Sequence, residues 1–498
     1  MPNERRLLLR IPEESAGRAS SQRSLEHPRR FMLTQGFYLA QHSASVRARW
    51  RARQRQKQIL VSNGSAVDAA IAAMFCNGLY NQQSMGLGGG FFMTVYIKEE
   101  GRAYTVIARE TAPAAATANM FHGNYDKAKK GPLSLGIPGE LRGLWAAYKR
   151  WGKLPWESLL APTLALCENG YVMSKVLFDG LESAPYVKND PNLRAKITDS
   201  LAVPLSNGDV LHVPPPPSSG VILVNILNIL SGYNFTHNSI NTTEDKILTY
   251  HRIIEAFKYA YATRTKLGDV DFLDLRDLIK NVTTPSYGAE IRARINDSST
   301  SNDTAVYGAT EYNQPDAGTA HISIIANNGD AVSVTSSVNY YFGAGFTTLN
   351  TGIVMNNVMD DFSLPGFTNY FGLKPSPANF IAPGKRPMSS MSPSIIVDKG
   401  GNAKLVIGAS GGTKITTAVA LVAMRKLWFG QTIKQAVDEA RLHHQIFPQD
   451  IIKGLRAKGH GMERYPGRGS IICAMYRNRT GIYANADFRK GGDVAGID

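Results

Sequence analysis

Cysteine is nearly absent from this chain: 498 residues hold three, Cys76, Cys167 and Cys473. Three thiols cannot build a disulfide framework, and their spacings are not those of a metal-binding pair. Cys76 and Cys167 fall in apolar stretches of helical period and are expected to be buried thiols. Long apolar runs are missing too. The longest, Val221 to Leu230, contains Asn225 and Asn228 and is too short to cross a bilayer. Residues 31–40, FMLTQGFYLA, are interrupted by Gln35 and Gly36 and make a poor signal peptide. No repeat of fixed period stands out. What remains is ordinary globular composition, 43% hydrophobic and 19% charged with 46 Gly and 25 Pro. That excludes a disordered or coiled-coil chain and allows a sizeable core.

Charge is unevenly spread. The net +15 resembles a nucleic-acid signal until it is located, because residues 1–60 hold thirteen Lys or Arg against four acids. The remaining 438 residues carry only +6. The excess is therefore a basic leader, with Arg47, Arg49, Arg51, Arg53, Arg55 and Lys57 in alternation, and not a basic face of the folded body. No nucleic-acid partner is expected. Seven Asn-x-Ser/Thr sequons occur, at Asn63, Asn234, Asn241, Asn281, Asn296, Asn302 and Asn478. Their density over 234–302 points to a secreted or cell-surface protein, whereas the N-terminus shows no clear signal or anchor.

Residues 1–58 read as a basic, disordered leader. The body opens with a buried helix from Gly64 to Met74, capped near Ser65. Gly86 to Gly90 then feed a strand at Phe91–Tyr96. A phosphate-binding loop needs strand, glycines and helix in that order, so nucleotide binding is rejected. Helices are expected at Leu141–Trp151, Thr249–Tyr261 and Thr416–Leu427, and Pro214–Pro217 reads as a rigid exposed connector. His321–Ile325 and Ala331–Ser336 flank the turn Asn327–Asp330 and predict a hairpin. Ser394–Val397 and Lys404–Ile407 predict another. Helices and strands in blocks suit sheets sandwiched between helical layers.

The segment of most interest is Pro315 to Ser323, where Thr319 follows a small residue and immediately precedes a strand. Taken alone, a structural threonine is the better reading. Its company changes the balance. Ser336-Ser337-Val338-Asn339 closes the hairpin that Thr319 opens. Asn356 to Ser363 is a polar loop with paired carboxylates. Pro387 to Pro393 offers adjacent hydroxyls. Gly408-Ala409-Ser410-Gly411-Gly412-Thr413 lies between a strand and a helix, where backbone N–H groups can face an anion.

Together these runs resemble one family, the γ-glutamyltransferases, from about Gly64 to the C-terminus. NNVMDDFS at 356–363, PSPANFIAPGKRPMSSMSPSI at 375–395 and GASGGTKITTA at 408–418 carry the resemblance most densely. NGSAVDAAIAAM, QSMGLGGGFF and ARETAP upstream fit the same family. The resemblance implies an α+β fold, the four-layer αββα sandwich of N-terminal-nucleophile hydrolases. It implies a precursor that breaks its own Gly318–Thr319 bond. The portions are then 59–318 and 319–498, one intertwined domain that remains a heterodimer of its own fragments. Thr319 would be the nucleophile, with its new α-amino group as base. Gly411 and Gly412 would hold the oxyanion, and Ser337 would hydrogen-bond the nucleophile. Arg109, Ser389 and Ser390 would bind the α-carboxylate of a γ-glutamyl donor, and Asp361 and Asn339 its ammonium. The implied substrates are glutathione and its conjugates, with water, amino acids or dipeptides as acceptors. No cofactor and no metal are implied, and the implied place is outside the cell. Without the resemblance, Arg109 reads as a surface ion pair with Glu110.

Three departures stand out. Val358 occupies a position where the family has Glu or Gln. Several tens of residues are missing between Asn192-Leu193-Arg194 and Leu205 to Asp209. An Arg-rich leader replaces the membrane anchor of eukaryotic relatives. These keep a second reading open, an unprocessed, non-catalytic relative of the same fold. An acylase for apolar side chains is a third, opposed by Arg109 with Asp361, because an apolar acyl group needs no zwitterion pocket.

Overall fold

The computed structural model describes residues 38–41 (backbone only), 58–169, 196–309, 311–312, 319–348, 351–366, 373–442, 448–462, 469–490 and 492–496. Two antiparallel sheets face one another. The first has seven strands: β1 (Tyr38–Gln41), β2 (Gly90–Ile97), β3 (Arg102–Ala108), β4 (Lys196–Asp199), β7 (Ala320–Ile325), β8 (Ala331–Ser337) and β13 (Asp493–Gly496). The second has six: β5 (Leu201–Pro204), β6 (Val210–Val213), β9 (Ser394–Val397), β10 (Ala403–Ser410), β11 (Ile471–Asn478) and β12 (Gly481–Ala486). Their orders are β13-β1-β7-β8-β2-β3-β4 and β12-β11-β10-β9-β6-β5. Strands from before and after residue 318 therefore share both sheets.

Helices cover both outer faces. α1 (Ala66–Tyr80), α2 (Glu140–Trp151) and α3 (Trp156–Asn169) pack on the first sheet through Ala70, Ile71, Leu144 and Leu159 against Phe91, Met93, Ile322 and Val334. α4 (Gly220–Ser231), α5 (Thr243–Arg264), α6 (Lys414–Leu427) and α7 (Gln449–Ala457) cover the second. Between the sheets lie Tyr96, Ile325, Ile395, Val406 and Met475. This is the αββα sandwich. The inter-sheet layer is partly polar: Ser333 donates to the Ile407 carbonyl at 3.0 Å and Thr94 to that of Pro393 at 2.8 Å. His321 bonds Thr335 and Ser323, and a Cβ on Gly408 would strike its ring at 2.2 Å.

α1 forms as its sequence predicts. Its apolar residues are buried on most sides, with Phe75 and Leu79 half-buried, and Ser65 caps it. The Ser65 hydroxyl accepts the Asp68 N–H at 3.0 Å, and Asp68 accepts the Ser65 N–H at 2.9 Å. Asp68 also takes the N–H groups of Lys153 and Leu154, which fixes the turn after α2. Both predicted hairpins form, in registers Ala320↔Ser336 and Ser394↔Ile407.

Three expectations need correction. Tyr38–Gln41, placed in a disordered leader, pairs with β7 and β13. Its aromatic and aliphatic residues suit a strand, and it fills the gap between those two. Pro214, Pro216 and Pro217 are buried, not exposed, because the Pro217 carbonyl accepts the Ser389 N–H at 2.8 Å and the Ser218 hydroxyl bonds Pro214. Cys167 is exposed, on the outer side of α3, while Cys76 and Cys473 are buried. The run Val221–Leu230 is the buried core of α4. Among the described residues no helix is long and apolar enough to cross a membrane. Of the suspected gap, Asn192 to Arg194 lie outside the described residues, and Leu205 to Asp209 form the turn between β5 and β6. Replacing Ser65 with Ala removes half of the capping box. It is expected to lower stability by about 1 kcal/mol, read as an earlier denaturant midpoint; an unmoved midpoint would show that Asp68 alone holds this end.

Candidate functional site

Thr319 stands one residue before β7 and is 2% exposed. Gly318 and residues 313–317 lie outside the described residues. The pairing Ala320↔Ser336 puts position 319 opposite Ser337, the last residue of β8. On the other side of β8, Ser337 pairs with Gly90, and a Cβ on Gly89 would meet the Ser337 carbonyl at 2.1 Å. The glycine turn thus lets a backbone run against the strand that faces Thr319. Beyond β8 the chain bends through Asn339, at φ 69°. Its N–H donates to the Ser337 hydroxyl at 2.8 Å and its amide to the Asn357 carbonyl at 3.2 Å. This left-handed residue steers the chain from the hairpin to the polar loop.

That loop carries two carboxylates with different fates. Asp361 forms an ion pair with Arg109, and both side chains are almost wholly buried. Arg109 follows β3 directly and also contacts Glu110 at 3.2 Å and the Pro387 carbonyl at 3.4 Å. The expected Arg109–Glu110 pair exists, but it is fully buried and not on the surface. Asn379 bridges the parts, donating to the Asp361 carbonyl at 2.8 Å and accepting from the Met388 N–H at 2.9 Å. Asp360 is turned elsewhere. Burial raises it to about 6, against hydrogen bonds from Tyr340 and Tyr125 that lower it. Ser389 accepts the Met391 N–H at 3.2 Å, and Ser390 accepts from Arg264 at 3.2 Å. Both serines are buried beside the segment that touches Arg109.

Gly411 and Gly412 follow β10 at φ 130° and 63°, just ahead of α6. A Cβ on Gly411 would meet Gly469 and Ser470 at 2.9 Å. Ser470 leads into β11, whose Ile472 is bonded to Asp487. Three residues on, Lys490 donates its ammonium to the Thr319 carbonyl at 2.7 Å. Thr319 and the glycine pair therefore share one end of the sandwich. The role of Lys490 was not read from the sequence, which shows it only within a terminal RKGG run.

Glu140 was missed as well. The first residue of α2, it accepts from the Ser336 hydroxyl and is fully buried. Burial pushes its carboxyl up to about 8, and the nearby Glu110 adds to the shift. Burial also raises Glu110, while Arg109 pulls it down. In sequence Glu140 reads as an ordinary first-turn acid; only the fold shows that it is enclosed. A cavity of about 370 Å³ opens beside Thr413, lined among others by Tyr261, Arg264, Tyr307 and Tyr312. Thr319, Arg109 and Asp361 do not line it.

The model of the family described as gamma-glutamyltranspeptidase matches residues 52–212 and 190–497. The chain belongs to that family. Among relatives of this γ-glutamyltranspeptidase family member, Scoloptoxin SSD14 of Scolopendra dehaani is 39% identical, with 88% of this chain and 90% of the relative covered. Glutathione hydrolase proenzyme 1 of Schizosaccharomyces pombe is 33% identical, with 87% and 81% covered. Cephalosporin acylase from Bacillus halodurans superposes with a TM-score of 0.76 over 95% of this chain and 98% of its own, at 20% identity. That likeness concerns the fold alone, the αββα sandwich.

Glu140 yields a prediction of pH dependence. A carboxyl raised to about 8 on folding keeps its proton in the native state, so its contribution is fully present below 4.5 and is lost as pH rises through about 8. Glu140→Gln should flatten the fall in stability across that window, measured by thermal melts from acid to alkaline pH. Parallel wild-type and variant curves would show that Glu140 is ionised in the fold.

Proposed function

We propose that this chain is a self-processing γ-glutamyl hydrolase and transpeptidase. The observation that carries the reading is the Arg109–Asp361 pair: a guanidinium and a carboxylate, both buried, from positions 252 residues apart. A γ-glutamyl donor offers an α-carboxylate and an α-ammonium on one carbon. It exchanges the Arg109–Asp361 pair for two, its carboxylate on Arg109 and its ammonium on Asp361, with Asn339, Ser389 and Ser390 around them. Glutathione and its conjugates carry this group.

Maturation breaks the Gly318–Thr319 bond. The freed α-amino group of Thr319, with a reference pKa near neutrality, takes the proton of its own hydroxyl as Oγ attacks the γ-amide. The N–H groups of Gly411 and Gly412, ahead of a helix N-terminus, stabilise the oxyanion. Ser337 supports the nucleophile from the facing strand. The leaving amine departs with the proton, and water or the amine of an amino acid or dipeptide resolves the glutamyl ester. The two fragments stay together because their strands are interleaved in both sheets. All seven sequon asparagines are exposed, which supports a place outside the cell.

Val358 favours the second reading, a fold without turnover. It is fully buried, and a Cβ on neighbouring Gly136 would meet it at 2.2 Å, so an apolar residue stands in a tight site. Two experiments separate the readings. Purified wild type should run as two fragments whose masses end at Gly318 and start at Thr319, with Thr319→Ala a single chain; an uncut wild type overturns the proposal. Val358→Glu or Val358→Gln should lower KM for a γ-glutamyl anilide by about tenfold, the worth of one hydrogen bond to a charged group. An unchanged KM removes position 358 from donor binding.

A further inference from the structure

Apart from the residues gathered around Thr319, three side chains converge at α5. His251 and Glu255 stand four residues apart on that helix, on one face. His460 comes from the turn after α7, where Gly459 at φ 93° reverses the chain. His251 is wholly buried, and Glu255 and His460 nearly so. One ligand atom of each lies within 4.8 Å of those of the other two. His251 Nδ1 and His460 Nε2 approach to 2.7 Å, with their rings 4.9 Å apart.

We propose that His251, Glu255 and His460 form a binding site for a divalent transition-metal cation of the zinc class. Two imidazoles and a carboxylate are a ligand set zinc accepts, leaving a fourth position open. The surroundings are those of a metal centre. His251 Nε2 faces the Asn296 carbonyl at 2.8 Å, so its proton sits there and the Nδ1 lone pair turns inward. In the ion-free protein that lone pair accepts the Nε2 proton of His460. When the cation enters, His460 carries its proton on Nδ1, and both inward nitrogens become ligands. A rotation that opens their contact by about half an ångström brings both to the usual zinc–nitrogen length.

The carboxylate is held in the same way. Glu255 accepts from the Thr300 hydroxyl at 2.5 Å and the Tyr307 hydroxyl at 2.9 Å. These bonds fix its orientation and leave lone pairs for a metal. Tyr307 and Lys258, both in contact with Glu255, also line the cavity of about 370 Å³ beside Thr413. Lys258 works against the site, because its ammonium lies 3.2 Å from Glu255 and repels a second cation. The bound ion would join α5, the turn at 296–300 and the segment after α7. The sequence shows no hint of this, because the third ligand lies 205 residues beyond Glu255 in the numbering.

The test uses the tag-free, full-length protein after treatment with a chelator. Zn²⁺ is titrated by calorimetry, and Co²⁺ uptake is followed by visible absorption. The wild type should take one ion per chain, with the intense visible bands of tetrahedral cobalt. His460→Gln should bind more weakly, by at least the ten- to hundredfold that loss of even an outer-shell partner costs. Lys258→Met should bind as tightly or more so. No uptake by the wild type, weak octahedral cobalt bands, or equal zinc affinity in wild type and His460→Gln would overturn the proposal. The cobalt spectrum needs no variant, so it decides even if His460→Gln folds poorly.

Discussion

The Arg109–Asp361 ion pair is the constraint around which the site is built. A lone buried charge is costly, so a guanidinium at the end of β3 with almost no exposure demands a counter-charge from elsewhere in the fold. That charge comes from the loop after β8, on the other portion of the chain. Glu110 adds a second carboxyl group beside the same guanidinium, and burial raises its pKa while Arg109 lowers it. A ligand bearing both charges can replace the internal pair without leaving either partner stranded. Neither an apolar acyl group nor a simple amine can do that.

The sandwich delivers these groups to one place. The hairpin β7–β8 sets Thr319 opposite Ser337. Asn339 turns the chain into the loop that ends at Asp361, and Asn379 ties that loop to the segment 387–390. Gly411 and Gly412 sit at the end of β10, and Lys490 links the Thr319 carbonyl to the neighbouring strand system. Each group rests on a strand end or on a loop held by buried side-chain bonds, which gives the proposed nucleophile and the proposed oxyanion donors fixed positions. Interleaving also means that cutting the chain before Thr319 would leave both sheets intact.

Much of this was legible in the sequence where information is local. The Ser65 cap, the turn Asn327–Asp330 and the glycine run before β2 predicted their elements from spacing alone. The site residues were legible only because their motifs resemble a family; nothing in the period or composition singles out Arg109 from any other arginine beside a glutamate. The misses share a cause, dependence on distant partners. Tyr38–Gln41 becomes a strand through β7 and β13, and Pro217 is buried by Ser389. Glu140 is pushed towards neutrality by enclosure beneath Ser336. Cys167 erred the other way, because a helix of apolar composition still has an outer face.

The most direct measurement of the central claim is to catch the glutamyl group on the protein. Mature enzyme is mixed with glutathione, quenched in acid within the first turnover, digested and mapped by mass. The account predicts one glutamyl unit on the peptide that begins at Thr319, and its loss when Asp361 is changed to Ala. A glutamyl unit on another residue, or none at all in a protein that still releases cysteinylglycine, would contradict it.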